Sequence, residues 1–327
     1  MAGDRMVHGM ARLLAGACAL LIAATLGGCA LTTPSRSEVQ QESVAPTAGD
    51  SSLLTAGTLT VALDTSDAPQ AMNGTDGAPT GYYVDLARAL AQRMGLKLAF
   101  VSAGAPAKAL SDKRADIFMG GTTRDADASV AITGSILEDA TALFTRTDDG
   151  QKPTISASQL GGATVAVQDA SASQDALNRA GITAAQKTYA NVNECFEALA
   201  SGEVQYVACD ATAGAYLARA YAGATFAGII SSVNTFGIAG PASGELADAV
   251  QDAYDALNQD GTLEALHGAW YGGLPISLSG EVLSGVTISS TSSDNQASDS
   301  QAATGTAEGD NAVATDTPIL GDINSLD

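Results

Sequence analysis

Two short polar segments of this chain follow apolar runs that are typical of buried strands. The first is Gly-Gly-Thr-Thr-Arg at residues 120–124, and the second is Asp-Ala-Thr at residues 210–212. In open α/β sheets, ligands bind beyond the carboxyl ends of the strands. A carboxylate placed there makes a short, charge-assisted hydrogen bond to an ammonium group. Asp210 could therefore bind an amine, or it could cap the helix that follows it.

Catalytic chemistry has less support in the sequence. The two histidines are His8 and His267, and we expect His267 to lie on the surface of a helix. The sequence has no nucleophile-elbow, zinc-protease or phosphate-loop motif, and no Cys/His cluster for a structural zinc. Carboxylates are plentiful, so acid–base catalysis by a lyase stays open as an alternative. We predict a binding protein rather than an enzyme, with no cofactor and no metal.

The elements that would position these segments begin with a helix predicted over residues 82–94. Its apolar residues recur at spacings of three and four, namely Tyr83, Leu86, Ala87, Leu90 and Met94. Gly95 suits the left-handed residue that ends a helix. The runs at Thr58–Leu63 and 96–101 on either side predict strands. Strand, helix and strand at this spacing form a βαβ unit, and hence a parallel sheet.

A second α/β pattern follows a polar break at residues 147–153. It comprises predicted strands at 164–168 and 204–209 and predicted helices at 173–180, 193–200 and 213–221. Two further helices, at 244–257 and 262–270, belong to the first pattern. We therefore predict two lobes: residues 54–145 with 236–275, and residues 146–235. The chain would cross between them near 142–146 and 235–239.

Both ends of the chain differ in composition from the two lobes. Arg5 and Arg12 precede an apolar run at 13–26 that is shorter than a membrane span. Leu-Gly-Gly-Cys at 26–29 resembles a lipobox, so we predict a signal peptide over 1–28 and a lipid on Cys29. An uncleaved anchor or an ordinary signal peptide is the alternative. We predict a flexible tether over 29–53 and a disordered, acidic, Ser/Thr/Ala-rich tail over 276–327.

The cysteines and the net charge limit the compartment and the partners. If Cys18 leaves with the signal peptide and Cys29 carries the lipid, Cys195 and Cys209 remain as an even pair. In an oxidising compartment we predict a disulfide between them, with two buried reduced thiols as the alternative. The net charge of −21 excludes nucleic acid as a partner, because phosphate contacts require clustered Lys and Arg. An acidic, solvated surface suits a secreted monomer.

Three motifs occur in a fixed order between residues 54 and 274. They are Gly-Tyr-Tyr-Val-Asp-Leu-Ala-Arg-Ala-Leu-Ala at 81–91, Val-Ala-Val-Gln at 165–168, and Asp-Gly-Thr-Leu at 260–263 followed by Trp-Tyr-Gly at 270–272. They resemble the G-F-D-V-D-L-A-K-A-I-A, V-G-V-Q and D-G-T-L…W-F-G motifs of solute-binding protein family 3, receptors for polar amino acids in ABC import. The resemblance implies an α/β, two-lobed, type II periplasmic-binding-protein fold with two hinge crossings and a ligand cleft between the lobes.

The resemblance also implies roles for individual residues. Asp210 lies at the position that binds the ligand's α-amine, and Thr123 matches a Ser/Thr that bonds the ligand. Ser171 matches a hydroxyl at the start of a helix, where the helix N-terminus favours an anion. Gly121 and Gln168 lie in the matched strand-end segments and are further candidate ligand contacts.

Two departures from the family pattern affect the predicted ligand. Asp127 or Ala128 stands where the family has its carboxylate-binding arginine, so Arg124 is the nearest candidate. Ser-Asp-Ala-Pro-Gln at 66–70 replaces an aromatic motif, which puts Asp67 in place of a ring and makes Tyr82 the candidate replacement ring. Asp64, Asp67 and Asp210 near one cleft would favour a ligand with an additional positive charge.

The function implied is that of an extracytoplasmic, lipid-anchored binding component of an ABC importer. It would capture an amino acid or a related small, polar, amine-bearing solute and would dock to an ABC permease. Two alternatives stay open. One is a lyase or dehydratase that works in the cleft of the same fold, and the other is a solute-sensing module without transport.

Overall fold

The computed structural model describes residues 44–288, which form two α/β lobes. The helices and strands are, in chain order, β1 (Thr58–Leu63), β2 (Met72–Asn73), β3 (Pro79–Thr80), α1 (Tyr82–Arg93), β4 (Lys97–Ser102), α2 (Pro106–Ser111), β5 (Ile117–Gly121), β6 (Val130–Asp139), β7 (Thr141–Arg146), β8 (Thr164–Gln168), α3 (Ala172–Arg179), β9 (Ala185–Tyr189), α4 (Val192–Ser201), β10 (Tyr206–Asp210), α5 (Ala211–Ala218), β11 (Ala224–Ile229), β12 (Asn234–Pro241), α6 (Glu245–Gln259) and α7 (Thr262–Tyr271). Short 3₁₀ turns lie at Asp50–Ser52, Thr123–Asp125 and Ala157–Leu160.

The first lobe is built on a sheet with the strand order β4–β1–β5–β12–β6. β4 and β5 run parallel to β1, whereas β12 runs antiparallel to both β5 and β6. The predicted helix is present as α1, which buries Tyr83, Leu86 and Leu90. Gly95 follows the helix with a φ of 68°, the left-handed conformation expected at a helix end. The predicted βαβ unit is therefore confirmed.

The second lobe is built on a sheet with the order β11–β7–β10–β8–β9. β8 is parallel to β9 and β10, and β7 is antiparallel to β10 and β11. Asn191 caps α4 by accepting a hydrogen bond from the backbone N–H of Glu194 at 2.9 Å, and Gly202 ends the helix with a φ of 78°. Local capping chemistry thus sets both ends of this helix.

The chain passes between the two sheets a few residues before each predicted crossing. β7 lies wholly in the second sheet, so the first crossing is at Ala140 rather than within 142–146. β12 begins the return at Asn234, so the second crossing spans residues 230–233 rather than 235–239. Apolar strand composition looks the same in either sheet, which is why the sequence placed both crossings late. The first segment of the first lobe therefore ends at Asp139 rather than at residue 145, and its second segment begins at Asn234 rather than at residue 236.

The C-terminal end of α7 contacts the second lobe. The ring of Trp270 stacks on Tyr216 of α5 with 5.8 Å between ring centroids, and its Nε1 donates to Asp85 of α1 at 2.9 Å. Arg219 donates from its guanidinium to the backbone carbonyl of Ala269 at 2.6 Å. A cation at these carbonyls also complements the negative end of the helix.

Folded structure begins earlier than the predicted tether allows. Ala48 and Leu53 are buried, Thr47 N–H donates to the carbonyl of Met94 at 3.1 Å, and Gly49 N–H donates to Glu245 Oε1 at 2.8 Å. Residues 47–53 therefore pack on the first lobe, and the predicted tether is wrong for them. Composition alone missed this packing, because a few small and apolar residues suffice to bury a segment.

The predicted disordered tail is also wrong at its start. Leu278 and Leu283 are buried, and residues 274–288 follow the first lobe's last helix back to the second lobe. The remaining tail at 289–327, the signal peptide at 1–28, Cys29 and the tether at 29–43 lie outside the described residues. Within the described residues, no helix is long and apolar enough to cross a membrane.

The predicted disulfide is wrong in this structure. Cys195 and Cys209 are both free and buried. The Cys195 thiol donates to the carbonyl of Asn191 in its own helix at 3.4 Å, while the Cys209 thiol lies against Gly214. Counting cysteines gave the correct pair of buried residues, but the two thiols point to different neighbours.

Candidate functional site

A compact loop at residues 64–71 presents two aspartates beside the carboxyl end of β1. Asp64 accepts hydrogen bonds from the backbone N–H and the hydroxyl of Ser66, at 2.9 and 2.6 Å. Ala71 N–H donates to the carbonyl of Asp67 at 2.7 Å, and Tyr83 N–H donates to the carbonyl of Gln70 at 2.9 Å. These bonds fasten the loop to the start of α1, and they leave the Asp67 carboxylate free.

The aromatic wall beside this loop is Tyr83. Its ring faces Gly120, because a Cβ atom built on that glycine would lie 2.8 Å from Tyr83 Cε2. Tyr82, the predicted replacement ring, points instead into the core, where its hydroxyl donates to the carbonyl of Ile136 at 2.6 Å and its ring packs on Tyr271. The prediction named the wrong tyrosine of the pair, since adjacent helical residues point about 100° apart.

The aspartates of the loop and Tyr83 help to line a groove of about 450 Å³, which we call the acidic groove. Its lining residues are Asp64, Ser66, Asp67, Tyr83, Gly104, Ala105, Pro106, Phe118, Met119, Gly120 and Asp125. Three of them are carboxylates, and none is a lysine, an arginine or a histidine. The groove therefore offers negative charge without an internal counter-ion.

A hydrogen-bonded chain joins the two lobes below this loop. Gln70 Nε2 donates to Thr212 Oγ1 at 3.0 Å, and that hydroxyl donates to Asp139 Oδ2 at 2.7 Å. Asp139 Oδ1 also accepts from the backbone N–H groups of Ala140 and Thr212, at 2.8 and 3.2 Å. Asp139 is the last residue of β6, so its carboxylate lies at the first crossing.

Asp210 lies at the N-cap position of α5 but makes no capping hydrogen bond with its side chain. The helix is instead begun by Asp139, which binds the N–H of Thr212. The alternative reading of Asp210 as a cap is therefore not supported by its geometry. Its carboxylate is free to contact a ligand.

The electrostatics of the cleft reflect like charges held close together. Loss of contact with water, followed by the negative charges of Asp64 and Asp210, raises the pKa of Asp67 to about 6, although part of its side chain stays exposed. Desolvation and the charge of Asp210 raise the pKa of Asp139 to about 7, against the opposing hydrogen bonds of Thr212 and Ala140. Desolvation also raises the pKa of Asp210. A nearby positive charge would reverse these shifts.

The other predicted ligand contacts lie outside the lining of the acidic groove. Thr123 and Arg124 are exposed in a 3₁₀ turn whose cap is Thr122 with Asp125, and among the described residues Arg124 has no hydrogen-bond or ion-pair partner. Gly121 is buried, and a Cβ atom there would lie 2.7 Å from that of Ala239.

In the second lobe, Gln168 is half-buried at the end of β8. Its backbone carbonyl accepts a hydrogen bond from the Ser171 hydroxyl at 2.7 Å. The Ser171 hydroxyl is thus used locally, next to the start of α3. The roles of these two residues as ligand contacts stay predictions.

His267 differs from the surface residue that we expected. It is buried, its ring packs at 5.1 Å from Tyr271, and desolvation lowers its pKa. Within the described residues no group of three or more His, Cys, Asp or Glu is arranged to hold a metal ion.

The sequence analysis missed three residues of the candidate site. Tyr83 was assigned to the helix stripe alone, and Gln70 and Asp139 were not singled out. A signal for Asp139 exists, since only Ala140 separates it from the apolar strand Thr141–Arg146, where a carboxylate at a crossing could have been expected.

A larger surface groove, of about 720 Å³, lies between residues 51–54 and α2. Its buried acid, Asp116, accepts hydrogen bonds from the N–H groups of Leu54 and Thr60 at 2.8 and 2.7 Å. This carboxylate holds the N-terminal segment on the sheet, so its acceptor capacity is already used structurally.

Two α/β lobes joined by two crossings, with a polar groove at the strand ends, define a two-lobed binding protein. A family model confirms the class: residues 59–273 match the bacterial extracellular solute-binding proteins, family 3, and the chain belongs to that family. No match was found among curated proteins. The chain is therefore an extracytoplasmic solute-binding protein, as the sequence motifs predicted.

Solved structures agree with this assignment. An ancestral cationic amino acid solute binding protein is 26% identical, with a TM-score of 0.56 over 66% of this chain and 96% of its own. A substrate binding protein of a polar amino acid ABC uptake transporter from Streptococcus thermophilus is 17% identical, with a TM-score of 0.59 over 68% and 88%. The unliganded, open L-cystine solute receptor of Neisseria gonorrhoeae is 19% identical, with a TM-score of 0.56 over 68% and 95%. The last two show the shared fold.

Proposed function

We propose that this protein is the substrate-binding component of an ABC importer, anchored to the membrane by a lipid on Cys29. It captures a small amino-acid-like solute that carries at least one amine and a net positive charge. The observation that carries the proposal is the convergence of carboxylates from three segments. Asp67 lines the acidic groove in the first lobe, Asp139 lies at the crossing bonded to Thr212, and Asp210 is exposed in the second lobe. The charge of Asp210 contributes to the raised pKa of both other carboxyls, and no cation lines the acidic groove.

The charge argument follows from the pKa shifts. Loss of contact with water is the largest cause of the raised pKa of both Asp67 and Asp139, and the negative charge of Asp210 adds to it in each case. A cationic ligand removes this repulsion and gains charge-assisted hydrogen bonds, whereas an acidic ligand would add to the repulsion. A neutral zwitterion has one ammonium group for several carboxylates, and its own carboxylate would require a donor. Basic amino acids satisfy more of these groups.

Similarity supports the same class of solute. The relative at 26% identity is described as a cationic amino acid solute binding protein. The residues that the family uses for the α-carboxylate are not matched here, and Arg124 faces solvent in its 3₁₀ turn. Closure of the lobes around a ligand is therefore part of the proposal, with Arg124 and Ser171 as candidate contacts to the ligand's carboxylate.

A thermal-shift screen of the mature chain tests the proposal. Lysine, arginine, ornithine and diamines are compared with glutamine, glutamate and leucine at matched ionic strength. Ligand at 100 times Kd stabilises the folded state by about 2.7 kcal/mol, so the melting temperature should rise with basic amino acids. The Asp67→Asn variant should lose most of that rise for cationic ligands. Stabilisation by glutamate alone would contradict the charge argument.

A cleft lyase is the second candidate, because pKa values of about 6 for Asp67 and about 7 for Asp139 suit proton transfer near neutral pH. The test is to incubate each stabilising compound with protein at a stoichiometric ratio and to follow its mass. Recovery of unchanged compound after many hours supports binding alone. Conversion that disappears in Asp139→Asn would favour the lyase.

Transport and anchoring are tested in cells. Deletion of the gene that encodes this protein should abolish uptake of the radiolabelled solute identified in the screen. The Cys29→Ala substitution should release the protein from the membrane fraction. Normal uptake after deletion, with a changed transcriptional response to the solute, would favour a sensing module instead.

A further inference from the structure

Residues 274–288 form a third connection between the lobes, and we call them the strap. The family match ends at residue 273, at the end of the first lobe. The chain then leaves α7, passes the first crossing and returns to the second lobe. The strap is therefore an addition to the matched portion of the chain.

The strap is fixed to the first lobe next to the hinge. Leu274 and Leu278 are buried, and Leu278 N–H donates to Glu138 Oε2 at 2.7 Å. The hydroxyl of Ser277 contacts the same oxygen at 3.3 Å. Glu138 directly precedes Asp139, whose carboxylate binds Thr212 of the second lobe. The strap thus contacts the crossing itself, one residue from the interlobe hydrogen-bonded chain.

The strap is fixed to the second lobe by pairing with the edge strand β11. Ile229 N–H donates to the carbonyl of Glu281, and Leu283 N–H donates to the carbonyl of Ile229, both at 2.9 Å. Ala157 N–H donates to the carbonyl of Ser284 at 2.8 Å. Glu281 pairs with Lys152, and Leu283 is buried in the second lobe's own apolar cluster.

Gly228 makes this close approach possible. A Cβ atom built there would lie 3.0 Å from the carbonyl oxygen of Glu281 and 3.3 Å from the side chain of Leu283. The φ of this residue is also +153°. Because Gly228 has no side chain, the backbone of the strap can approach the edge strand closely at this position.

We propose that the strap limits how far the two lobes open. A third covalent connection, held in both lobes by buried leucines, removes open arrangements that two crossings alone would permit. A ligand then has fewer conformations to restrict when the lobes close, so closure costs less conformational entropy. The strap is in this sense an intramolecular restraint on the ligand-free protein.

Cleavage of the strap tests the proposal in the full chain. Ser279 and Gly280 are exposed and lie between Leu278 and Leu283, so a specific protease site inserted between them leaves the anchor of each lobe in place. Small-angle scattering then compares the same ligand-free protein before and after cleavage, with uninserted protein cut under the same conditions as the control. We expect cleavage to shift the radius of gyration to a larger value and to speed hydrogen exchange at Ile229.

A second variant releases the other end of the strap. Leu283→Ser removes the buried anchor in the second lobe and should give the same shift, whereas Val282→Ser changes an exposed neighbour and should not. Slow hydrogen exchange retained in β8 and β10 of the variant, together with an unchanged melting temperature, shows that the second lobe remains folded. An unchanged radius of gyration after cleavage and in Leu283→Ser would overturn the proposal.

Discussion

Substitution of Asp210 by asparagine should separate ligand binding from folding. The carboxylate of Asp210 forms no capping hydrogen bond, and its charge adds to the desolvation that raises the pKa of both Asp67 and Asp139. Removing the charge therefore removes repulsion from the ligand-free protein. In bulk water two like unit charges repel by about 1 kcal/mol at a separation of about 4 Å, which sets an upper bound, so unfolding should require up to about 1 kcal/mol more at pH 7.5.

The same substitution should weaken binding of the basic amino acid that gives the largest thermal shift. Removing one partner of a charged pair in a closed site costs about 2–5 kcal/mol. The dissociation constant should therefore rise by a factor of roughly 30 or more. Opposite signs for stability and affinity in one variant are the signature of a ligand-binding carboxylate.

Calorimetric titration and urea melts of wild type and Asp210→Asn measure the two effects. The matched control is Asp252→Asn, which removes an exposed charge on α6, away from the cleft. Asp210→Ala separates the capping role, because a true cap would lose about 1 kcal/mol of stability with binding nearly intact. Unchanged affinity in Asp210→Asn would refute the assignment of this residue to the site.

Three further outcomes follow from the cleft and the core. The free energy of unfolding of the ligand-free protein should fall as pH rises from about 4 to 7, because the raised pKa values of Asp67 and Asp139 mean that the folded form binds more protons. Asp139→Asn should flatten that slope in melts across pH, while buried His267, with its lowered pKa, acts in the opposite direction in both proteins. Alkylation of the unfolded, unreduced mature protein should modify both Cys195 and Cys209, as detected by mass spectrometry, and prior reduction should add no further modified thiols. Protection of both thiols from alkylation would support the disulfide instead. Gly81→Ala should lose about 1–3 kcal/mol in urea melts, because the new Cβ would lie 2.3 Å from the Gln70 carbonyl, whereas Gly77→Ala, with open space around it, should lose less; equal losses would contradict the steric argument.

Much of the fold could be predicted from local pattern. The stripe of α1 and the strands flanking it follow from apolar spacing, and the final helices follow in the same way. The crossings were placed late because β6 and β7 are nearly continuous, with only Ala140 between them. Periodicity specifies which residues form strands, but the sheet that a strand joins depends on long-range pairing.

The site was predicted less completely, for physical reasons specific to each residue. Asp67 and Asp210 follow strands, and the structure brings them close enough that the charge of one raises the pKa of the other. The prediction of Tyr82 rather than Tyr83 fails because the two residues are adjacent on the helix and point in directions about 100° apart. The contribution of Asp139 depends on Thr212 and Gln70 in distant segments, and sequence spacing does not reveal such contacts.

The ends of the folded region could not be predicted from composition. Leu278 and Leu283 lie in a Ser- and Gly-rich stretch, yet both are buried because they meet preformed apolar surfaces. Two leucines at the correct separation hold a segment whose average composition is typical of disorder.

Trp270 has a practical consequence that extends beyond packing. It is the single tryptophan of the sequence, and its indole stacks on Tyr216 of the opposite lobe while its Nε1 bonds Asp85 of its own. Any rotation of one lobe against the other alters the surroundings of this one fluorophore. The unlabelled protein therefore contains its own optical reporter of hinge motion, and stopped-flow emission could follow ligand capture in real time.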